Sequence, residues 1–268
     1  MNSTTFPNFH ITSDFKQFNQ LTYLAPHTIY NWPKSELFTW KSSEGKSLQG
    51  VLYKPSNFNA KEKYPLIINF YEQLSHRLNE FPTPDLTSDN INIPWFVSRG
   101  YLVFTPDISL GLAAGSNKTN AQNAFDAIMS SIRELNKQPW IDSEKVGIQG
   151  HSMAGGCTNY IITQTNYFKA AVEAAGTSDQ ISSYLRLSGA LGNPENQIMN
   201  FFEFGQGRMG ASPWERQDLY LSSSPILLAK NIVTPLLIMH NKEDYAVPWM
   251  QGVEMFLALR RLKRKPGY

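Results

Sequence analysis

The chain has 268 residues, of which 41% are hydrophobic and 13% aromatic, so it can bury a large core and is not of a disordered composition. Its net charge of +2 gives no reason to expect nucleic acid or an acidic membrane surface as a partner. No apolar run reaches the roughly 18 residues that a membrane span needs.

The cysteine and histidine content narrows the chemistry further. The single cysteine, Cys157, excludes an intramolecular disulfide and lies in an apolar run, where we expect a buried thiol. The histidines are scattered and no acids cluster with them, so we expect neither a metal site nor a bound cofactor. The first residues, "MNSTTFPNFHITSDF", show no signal peptide.

In chain order, the first predicted element is a β-hairpin. Residues 1–34 are irregular and aromatic, and we expect them to precede one domain that occupies residues 35–268. The segment "ELFTWKSSEGKSLQGVLYKP" then shows two runs of alternating apolar residues around a polar turn. That pattern is typical of two antiparallel strands.

Strands and helices alternate after the hairpin. The runs "PLIINFY" and "YLVFTPD" are continuously apolar, which is typical of strands covered on both faces. A helix is predicted over residues 117–138, where Ala124, Ile128, Ile132 and Leu135 have helical spacing. Further strands are predicted at "VGIQG", "KAAVEAAG" and "TPLLIMH", and further helices at "MAGGCTNYIITQT" and "MQGVEMFLALRRLK". This order predicts a doubly wound, mostly parallel sheet.

The segment "GQGRMG" at residues 205–210 matches the G-x-G-x-x-G pattern of dinucleotide-binding loops. That pattern indicates a cofactor only between a strand and a helix, and here it follows "MNFFEF". We therefore interpret it as a loop that lines a pocket or belongs to a cap.

The segment "KVGIQGHSMAGG" places Ser152 between a strand and a helix. A nucleophile elbow strains its serine, so the residues two before and two after must be small, as Gly150 and Ala154 are. The helix that follows directs its N-terminal dipole at the same place. Ser152 could instead only cap this helix, but the context favours a nucleophile in an α/β-hydrolase fold.

Such a nucleophile requires an acid on the loop after a later strand, and a histidine beyond that acid. The segment "LLIMHNKEDYAVP" supplies Glu243 and Asp244. All five histidines precede these acids, and we expect His240 to order their loop. Because the general base is missing, we expect little or no catalytic activity from this chain alone.

In sequence, these segments resemble the catalytic domain of the prolyl oligopeptidase family of serine peptidases, in particular its dipeptidyl-peptidase and acylaminoacyl-peptidase branches. The matching pieces are "KYPLIINFYE", "GYLVFTPD", "GIQGHSMAGG" and "TPLLIMHNKEDYAVPWMQGVEMFLALRR". The resemblance implies Ser152 as nucleophile, Asp244 as the acid, and an oxyanion hole made by the Met153 backbone N–H and the Tyr71 hydroxyl. Tyr71 suits this role because it ends a strand next to the elbow and can donate to an oxyanion.

The chain departs from that family in three respects. Its elbow reads "SMAGGC" where the family has two glycines and an aromatic residue. Only the irregular residues 1–34 could represent the end of the family's β-propeller. The last strand and its histidine loop are expected to be missing, which leaves an exposed sheet edge open to self-association.

We therefore interpret the chain as a peptidase domain for short peptides that is truncated at both ends. Two alternatives stay open at this point. One is a non-catalytic hydrolase-like module or decayed fragment, and the other is a carboxylesterase of the same fold.

Overall fold

A computed structural model describes residues 3–85, 91–109, 118–186, 196–264 and 266–267. The strands are β1 (His10–Ile11), β2 (Asn19–Gln20), β3 (Pro33–Lys41), β4 (Ser47–Pro55), β5 (Tyr64–Phe70), β6 (Leu102–Pro106), β7 (Ile141–His151), β8 (Ala170–Ala174), β9 (Leu236–Met239) and β10 (Pro266–Gly267). The α-helices are α1 (Ile93–Val97), α2 (Asn120–Leu135), α3 (Met153–Gln164), α4 (Gln180–Tyr184), α5 (Asn196–Glu203), α6 (Gln217–Ser222) and α7 (Met250–Arg261). Short 3-10 helices lie at Pro26–Ile29, Ser75–Asn79 and Pro225–Asn231.

Within these residues, eight strands form one sheet in the order β10-β9-β8-β7-β5-β6-β4-β3, and β1 and β2 pair separately. The predicted hairpin is confirmed, because β3 and β4 pair in antiparallel fashion along their whole length. Gly45 closes their turn with φ of +78°, a left-handed conformation that glycine adopts without strain.

The remaining strands run parallel, from β6 through β5, β7, β8 and β9 to β10. The carboxyl ends of parallel strands meet at one edge of a sheet, where ligands bind in such folds. Tyr71, Ser152, Ala175 and His240 directly follow or end β5, β7, β8 and β9, so they share this edge.

Helices cover both faces of the sheet, as the continuous apolar runs predict. Leu52 and Phe104 belong to the main core together with residues of α2, α3 and α7. Their neighbours Val51 and Val103 point to the other face and pack near Val97 of α1. Since successive side chains of a strand alternate between faces, both faces need apolar residues here.

Helix α2 buries the face that its spacing predicts. Ala124, Ile128, Ile132 and Leu135 all have exposed fractions of 3% or less. Thr119 begins the helix with a capping box, in which its hydroxyl accepts the Gln122 N–H and the Gln122 side chain accepts the Thr119 N–H.

Helices α4, α5 and α6 form a second, smaller core beside the main one. It contains Tyr184, Ile198, Phe202, Met209, Leu219 and Tyr220. The Tyr184 hydroxyl donates to Glu203 Oε1 at 2.5 Å, and the Tyr220 hydroxyl donates to the Ala211 carbonyl. This unit sits between β8 and β9 in the chain and carries the "GQGRMG" loop.

The end of the chain adds one feature to the prediction. The strand that was expected to be missing after α7 is represented by β10, two residues that pair in parallel with Leu236 and Leu237. Self-association through this edge of the sheet stays a prediction. In the described part of the chain, no helix combines the length and apolar character that crossing a bilayer requires.

Candidate active site

The backbone at Ser152 has an unusual conformation for a residue other than glycine. Its φ and ψ are 54° and −120°, and its N–H donates to the Ala174 carbonyl oxygen at 2.7 Å. Such a conformation costs on the order of 1–3 kcal/mol and persists only where neighbours enforce it. The Ser152 side chain makes no capping hydrogen bond to α3, so its hydroxyl is not used as a helix cap.

Tight packing explains why the elbow needs small residues. A Cβ on Gly150 would lie 2.2 Å from the Ala154 carbonyl oxygen, and Ala154 itself is fully buried. A Cβ on Gly155 would lie 2.8 Å from the Ala174 carbonyl oxygen, and one on Gly176 2.5 Å from the Gly155 carbonyl carbon. The first turn of α3 therefore packs directly on the backbone that follows β8.

A cavity of about 80 Å³ opens beside Ser152. Its lining combines the turn at Ser152 with the start of α2, the segment after β8, α5 and the "GQGRMG" loop. The lining residues are Thr119, Asn120, Ala121, Ser152, Met153, Gly156, Cys157, Thr177, Gln180, Phe201, Phe202, Gln206, Gly207, Met209, Ser223 and Val247.

Met153 is the first residue of α3 and lines the cavity next to Ser152. The first N–H groups of a helix have no partner within the helix and carry its positive dipole end. The Met153 N–H is therefore suited to stabilise a negative oxygen at the elbow.

Tyr71 follows β5 and is half-buried against the main core. Its hydroxyl oxygen accepts a hydrogen bond from Gln206 Nε2 at 3.0 Å. The same nitrogen donates to Glu72 Oε1 at 3.0 Å. Tyr71 is thus linked to the cavity through Gln206, which the sequence analysis did not single out.

Asp107 holds the loop that follows Tyr71. Its Oδ1 accepts the N–H groups of Leu74 at 2.7 Å and Ser75 at 2.8 Å, and its Oδ2 accepts the Ser75 hydroxyl at 2.6 Å. The Ile108 N–H also donates to the Glu72 carbonyl oxygen. The carboxyl ends of β5 and β6 are therefore tied together at the site.

Asp244 lies in the loop after β9 and organises that loop. Its Oδ1 accepts the N–H groups of Ala246 at 2.8 Å and Val247 at 2.9 Å, and Val247 lines the cavity. Asp244 Oδ2 lies 3.6 Å from His240 Nε2. Because a carbonyl only accepts, the His240 ring donates through Nε2 to the Val247 carbonyl oxygen at 2.9 Å.

The histidines have separate places in the fold. The His240 side chain is buried and hydrogen-bonded to the loop that Asp244 organises, as expected from the sequence. His10 lies in β1, while His27 and His76 lie in 3-10 helices. His151 is the last residue of β7, directly before Ser152.

Arg186 lies near the acid loop and was also not singled out from the sequence. One of its terminal nitrogens donates to the Ala246 carbonyl oxygen. Burial lowers the pKa of its guanidinium, and the charge of Asp244 acts in the opposite direction. Arg186 therefore supports the loop whose backbone Asp244 fixes.

Cys157 lines the cavity but is a buried thiol, as predicted. Burial raises its pKa to about 12, which keeps it protonated at neutral pH. Within the described ranges, no three His, Cys, Asp or Glu side chains come together in a way that could hold a metal ion.

Comparisons with known proteins agree with this architecture. A model described as the prolyl oligopeptidase family matches residues 87–267. The chain is 27% identical over 255 residues to the uncharacterized peptidase YuxL of Bacillus subtilis, with 91% of this chain and 35% of that protein covered. It is 26% identical over 227 residues to dipeptidyl-peptidase 5 of Porphyromonas endodontalis, with 80% of this chain and 30% of that protein covered.

The chain therefore spans about a third of the length of these relatives. Among solved structures, an acylaminoacyl peptidase of Pyrococcus horikoshii superposes with a TM-score of 0.71 at 23% identity, covering 99% of this chain and 41% of that chain. A puromycin-hydrolyzing peptidase of Mycobacterium tuberculosis superposes with a TM-score of 0.72 at 19% identity, covering 100% and 40%. These likenesses confirm the predicted α/β-hydrolase fold.

Proposed function

This chain belongs to the prolyl oligopeptidase family, and from this we propose that it is the catalytic domain of a serine peptidase that cuts short peptides through an acyl-enzyme. The observation that carries the proposal is the strained elbow at Ser152, whose side chain is not a helix cap and which opens on the cavity. The division into residues 1–34 and a hydrolase domain over residues 35–268 is part of this proposal.

In the proposed mechanism, the Ser152 hydroxyl attacks the scissile carbonyl carbon and a histidine takes its proton. The Met153 N–H and the Tyr71 hydroxyl stabilise the oxygen that becomes negative. Asp244 orients the histidine and stabilises its charged form. The histidine then gives this proton to the leaving amine as the peptide C–N bond breaks and the acyl-enzyme forms. Water, activated by the same histidine, hydrolyses the ester bond to Ser152 and releases the acyl group.

This proposal assigns the general base to none of the five histidines of the chain. His240 is the histidine bound beside Asp244, but its Nε2 proton is already donated to the Val247 carbonyl. These 268 residues are accordingly proposed to have little or no activity by themselves, because loss of one triad member typically costs about four to six powers of ten in turnover.

The cavity supports an uncharged residue on the acyl side of the cut bond. Its apolar lining comes from Met153, Phe201, Phe202, Met209 and Val247. None of the described residues that line the cavity carries a charge, so a charged side chain would lose its hydration there without gaining a partner of opposite charge from them. Peptides with an apolar residue at this position are therefore the proposed substrates.

Labelling with a fluorophosphonate tests the proposal directly. The 268-residue chain and the longest natural polypeptide that carries it are compared, each beside its Ser152→Ala variant. We expect rapid labelling at Ser152 of the longer polypeptide only. Equal labelling of the Ser152→Ala variant would contradict Ser152 as the nucleophile. Rapid labelling of the 268-residue chain would contradict the absence of a general base from it.

Substrate comparison separates the proposal from its two alternatives. A peptidase cleaves peptide amides and simple esters, whereas a carboxylesterase cleaves only the esters. A non-catalytic module cleaves neither and leaves Ser152 unlabelled in the longer polypeptide.

A further inference from the structure

The turn at Gly205, Gln206 and Gly207 is pressed against α5. A Cβ on Gly205 would lie 2.8 Å from the Phe201 Cα, and one on Gly207 would lie 2.6 Å from the Phe202 carbonyl oxygen. The Gly205 N–H donates to the Asn200 carbonyl at 2.8 Å, and the Gly207 N–H donates to the Phe201 carbonyl at 2.9 Å. The absence of a Cβ at both glycines therefore permits this close backbone packing. Gln206 is the residue of these three that carries a side chain.

The backbone of this turn is also tied to the start of α2. Asn120 Nδ2 donates to the Gln206 carbonyl oxygen at 2.7 Å and to the Gly207 carbonyl oxygen at 3.2 Å. Both Asn120 and Gln206 line the cavity beside Ser152. Hydrogen bonds thus hold the backbone both before and after Gln206, and they fix where its side chain begins.

The contacts of the Gln206 amide fix its orientation. Its Nε2 group has two hydrogens, and these point to Tyr71 Oη and Glu72 Oε1, each at 3.0 Å. The opposite amide orientation would place Gln206 Oε1 against the Glu72 carboxylate, where both groups only accept. Glu72 therefore decides which amide atom faces Tyr71.

The consequence for Tyr71 follows from its single proton. A phenol has one O–H donor, and an oxygen that accepts from Gln206 cannot aim its own hydrogen at the same N–H group. The Tyr71 proton must therefore point away from Gln206, which leaves it available to another acceptor. The accepted hydrogen bond also polarises the O–H bond, which strengthens its donation.

We infer that Gln206 is a positioning residue that holds the Tyr71 hydroxyl ready to donate to the oxyanion formed at Ser152. The inference rests on the proposed function and assigns the "GQGRMG" loop a role in it. Gln206 acts through Tyr71 and not through a cofactor.

A double-mutant cycle tests the inference in the longest natural polypeptide that carries this sequence. The measured quantity is the rate of Ser152 phosphonylation by a fluorophosphonate, separated into the maximal rate and the half-saturating concentration. Gln206→Leu removes the amide at nearly constant volume, and it is made in the natural background and in Tyr71→Phe. Gln164→Leu makes the same exchange at an exposed position at the end of α3 and serves as control.

We expect Gln206→Leu to lower the maximal rate about ten-fold, as one lost hydrogen bond to a reacting group does, with little change in half-saturation. In the Tyr71→Phe background the same exchange should change the rate less than about two-fold, since its target is already gone. Gln206→Met keeps the chain length and should behave like Gln206→Leu, which covers the case in which the leucine variant folds poorly.

Three results overturn the inference while the proposed function survives. The first is an unchanged rate in Gln206→Leu and Gln206→Met. The second is an effect of Gln206→Leu on the rate that is equally large in the Tyr71→Phe background. The third is a rise in the half-saturating concentration alone, which indicates direct contact with the substrate. If the natural protein and its Ser152→Ala variant label equally slowly, the proposed function fails and the inference falls with it.

Discussion

Glu173 offers the sharpest test of the packing beneath the elbow. It lies in β8, has an exposed fraction of 0%, and pairs in register with Gly150. Its Oε2 accepts the Gly176 N–H at 2.8 Å. Burial raises its pKa from the 4.5 of a free glutamate to about 7, and the Gly176 N–H and Asn159 amide offset part of that rise.

The raised pKa makes folding sensitive to pH in a definite direction. Below about pH 4.5 Glu173 is protonated in both the folded and the unfolded chain, so its titration does not lower the free energy of unfolding. Above that pH the unfolded chain releases its proton first, so the free energy of unfolding falls until about pH 7. A rise from 4.5 to about 7 corresponds to a loss of about 3 kcal/mol, which then stays constant at higher pH.

Glu173→Gln removes this titration and keeps an oxygen that can accept the Gly176 N–H. We expect the variant to be more stable than the natural chain at pH 8. The free energy of unfolding of the variant minus that of the natural chain should be about 2–3 kcal/mol larger at pH 8 than at pH 5. Urea unfolding at pH 5, 6, 7 and 8 measures this difference, followed by the fluorescence of the six tryptophans.

Glu144→Gln is the matched control, because it removes the same group from a side chain that is 80% exposed and pairs with Lys169 at the surface. The difference in free energy of unfolding between Glu144→Gln and the natural chain should stay nearly constant over that pH range, because an exposed ion pair contributes little to stability. If the difference in free energy of unfolding between Glu173→Gln and the natural chain is also constant from pH 5 to pH 8, Glu173 is not buried as a neutral acid and the reasoning is refuted.

Three further predictions concern the elbow and the acid loop. Gly150→Ala should lower the free energy of unfolding by at least about 3 kcal/mol, measured by urea unfolding. The control is Gly147→Ala in the same strand, whose Cβ would meet only the Ala170 carbonyl at 3.6 Å and whose effect should stay within about 1 kcal/mol. Equal effects of the two changes would contradict the packing argument. Ser152→Gly should be more stable than Ser152→Ala by about 1 kcal/mol, since only glycine relieves a φ of 54°, and equal unfolding midpoints would show that the backbone is not strained. Asp244→Asn should keep the two loop hydrogen bonds through Oδ1 and lower kcat of the active natural polypeptide by about 10⁴-fold, whereas Asp244→Ala should also lower stability by about 1–2 kcal/mol; full peptidase activity of the asparagine variant would remove Asp244 from the mechanism.

Much of the fold could be predicted from the sequence because its signals are local. The apolar runs at β5 and β6 and the helical spacing of Ala124, Ile128 and Ile132 depend only on which faces a segment must bury. The elbow at Ser152 was found for the same reason, since its glycine, serine and alanine occupy neighbouring positions in the chain. The boundaries were less exact: β7 begins at Ile141, five residues before the predicted strand.

The network around Tyr71 could not be predicted in this way. Gln206 is 135 residues from Tyr71 in the chain, and the two meet only because the α5 loop folds back over the carboxyl end of β5. The signal was present as a glutamine between two glycines, but the sequence alone left the reason for those glycines open. The structure identifies it as backbone packing on α5.

The sequence by itself determined which segments become strands and helices, and where the proposed nucleophile and acid lie along the chain, because short-range periodicity and turn chemistry encode these. The tertiary structure decided which side chains share the site. Gln206 donates to the Tyr71 hydroxyl, Asp244 accepts the N–H of Val247, which lines the cavity, and Glu173 is fully buried beneath the elbow. Tyr71, Ser152 and Asp244 follow three different strands, β5, β7 and β9. The order of the strands in the sheet, which no local pattern encodes, brings them together.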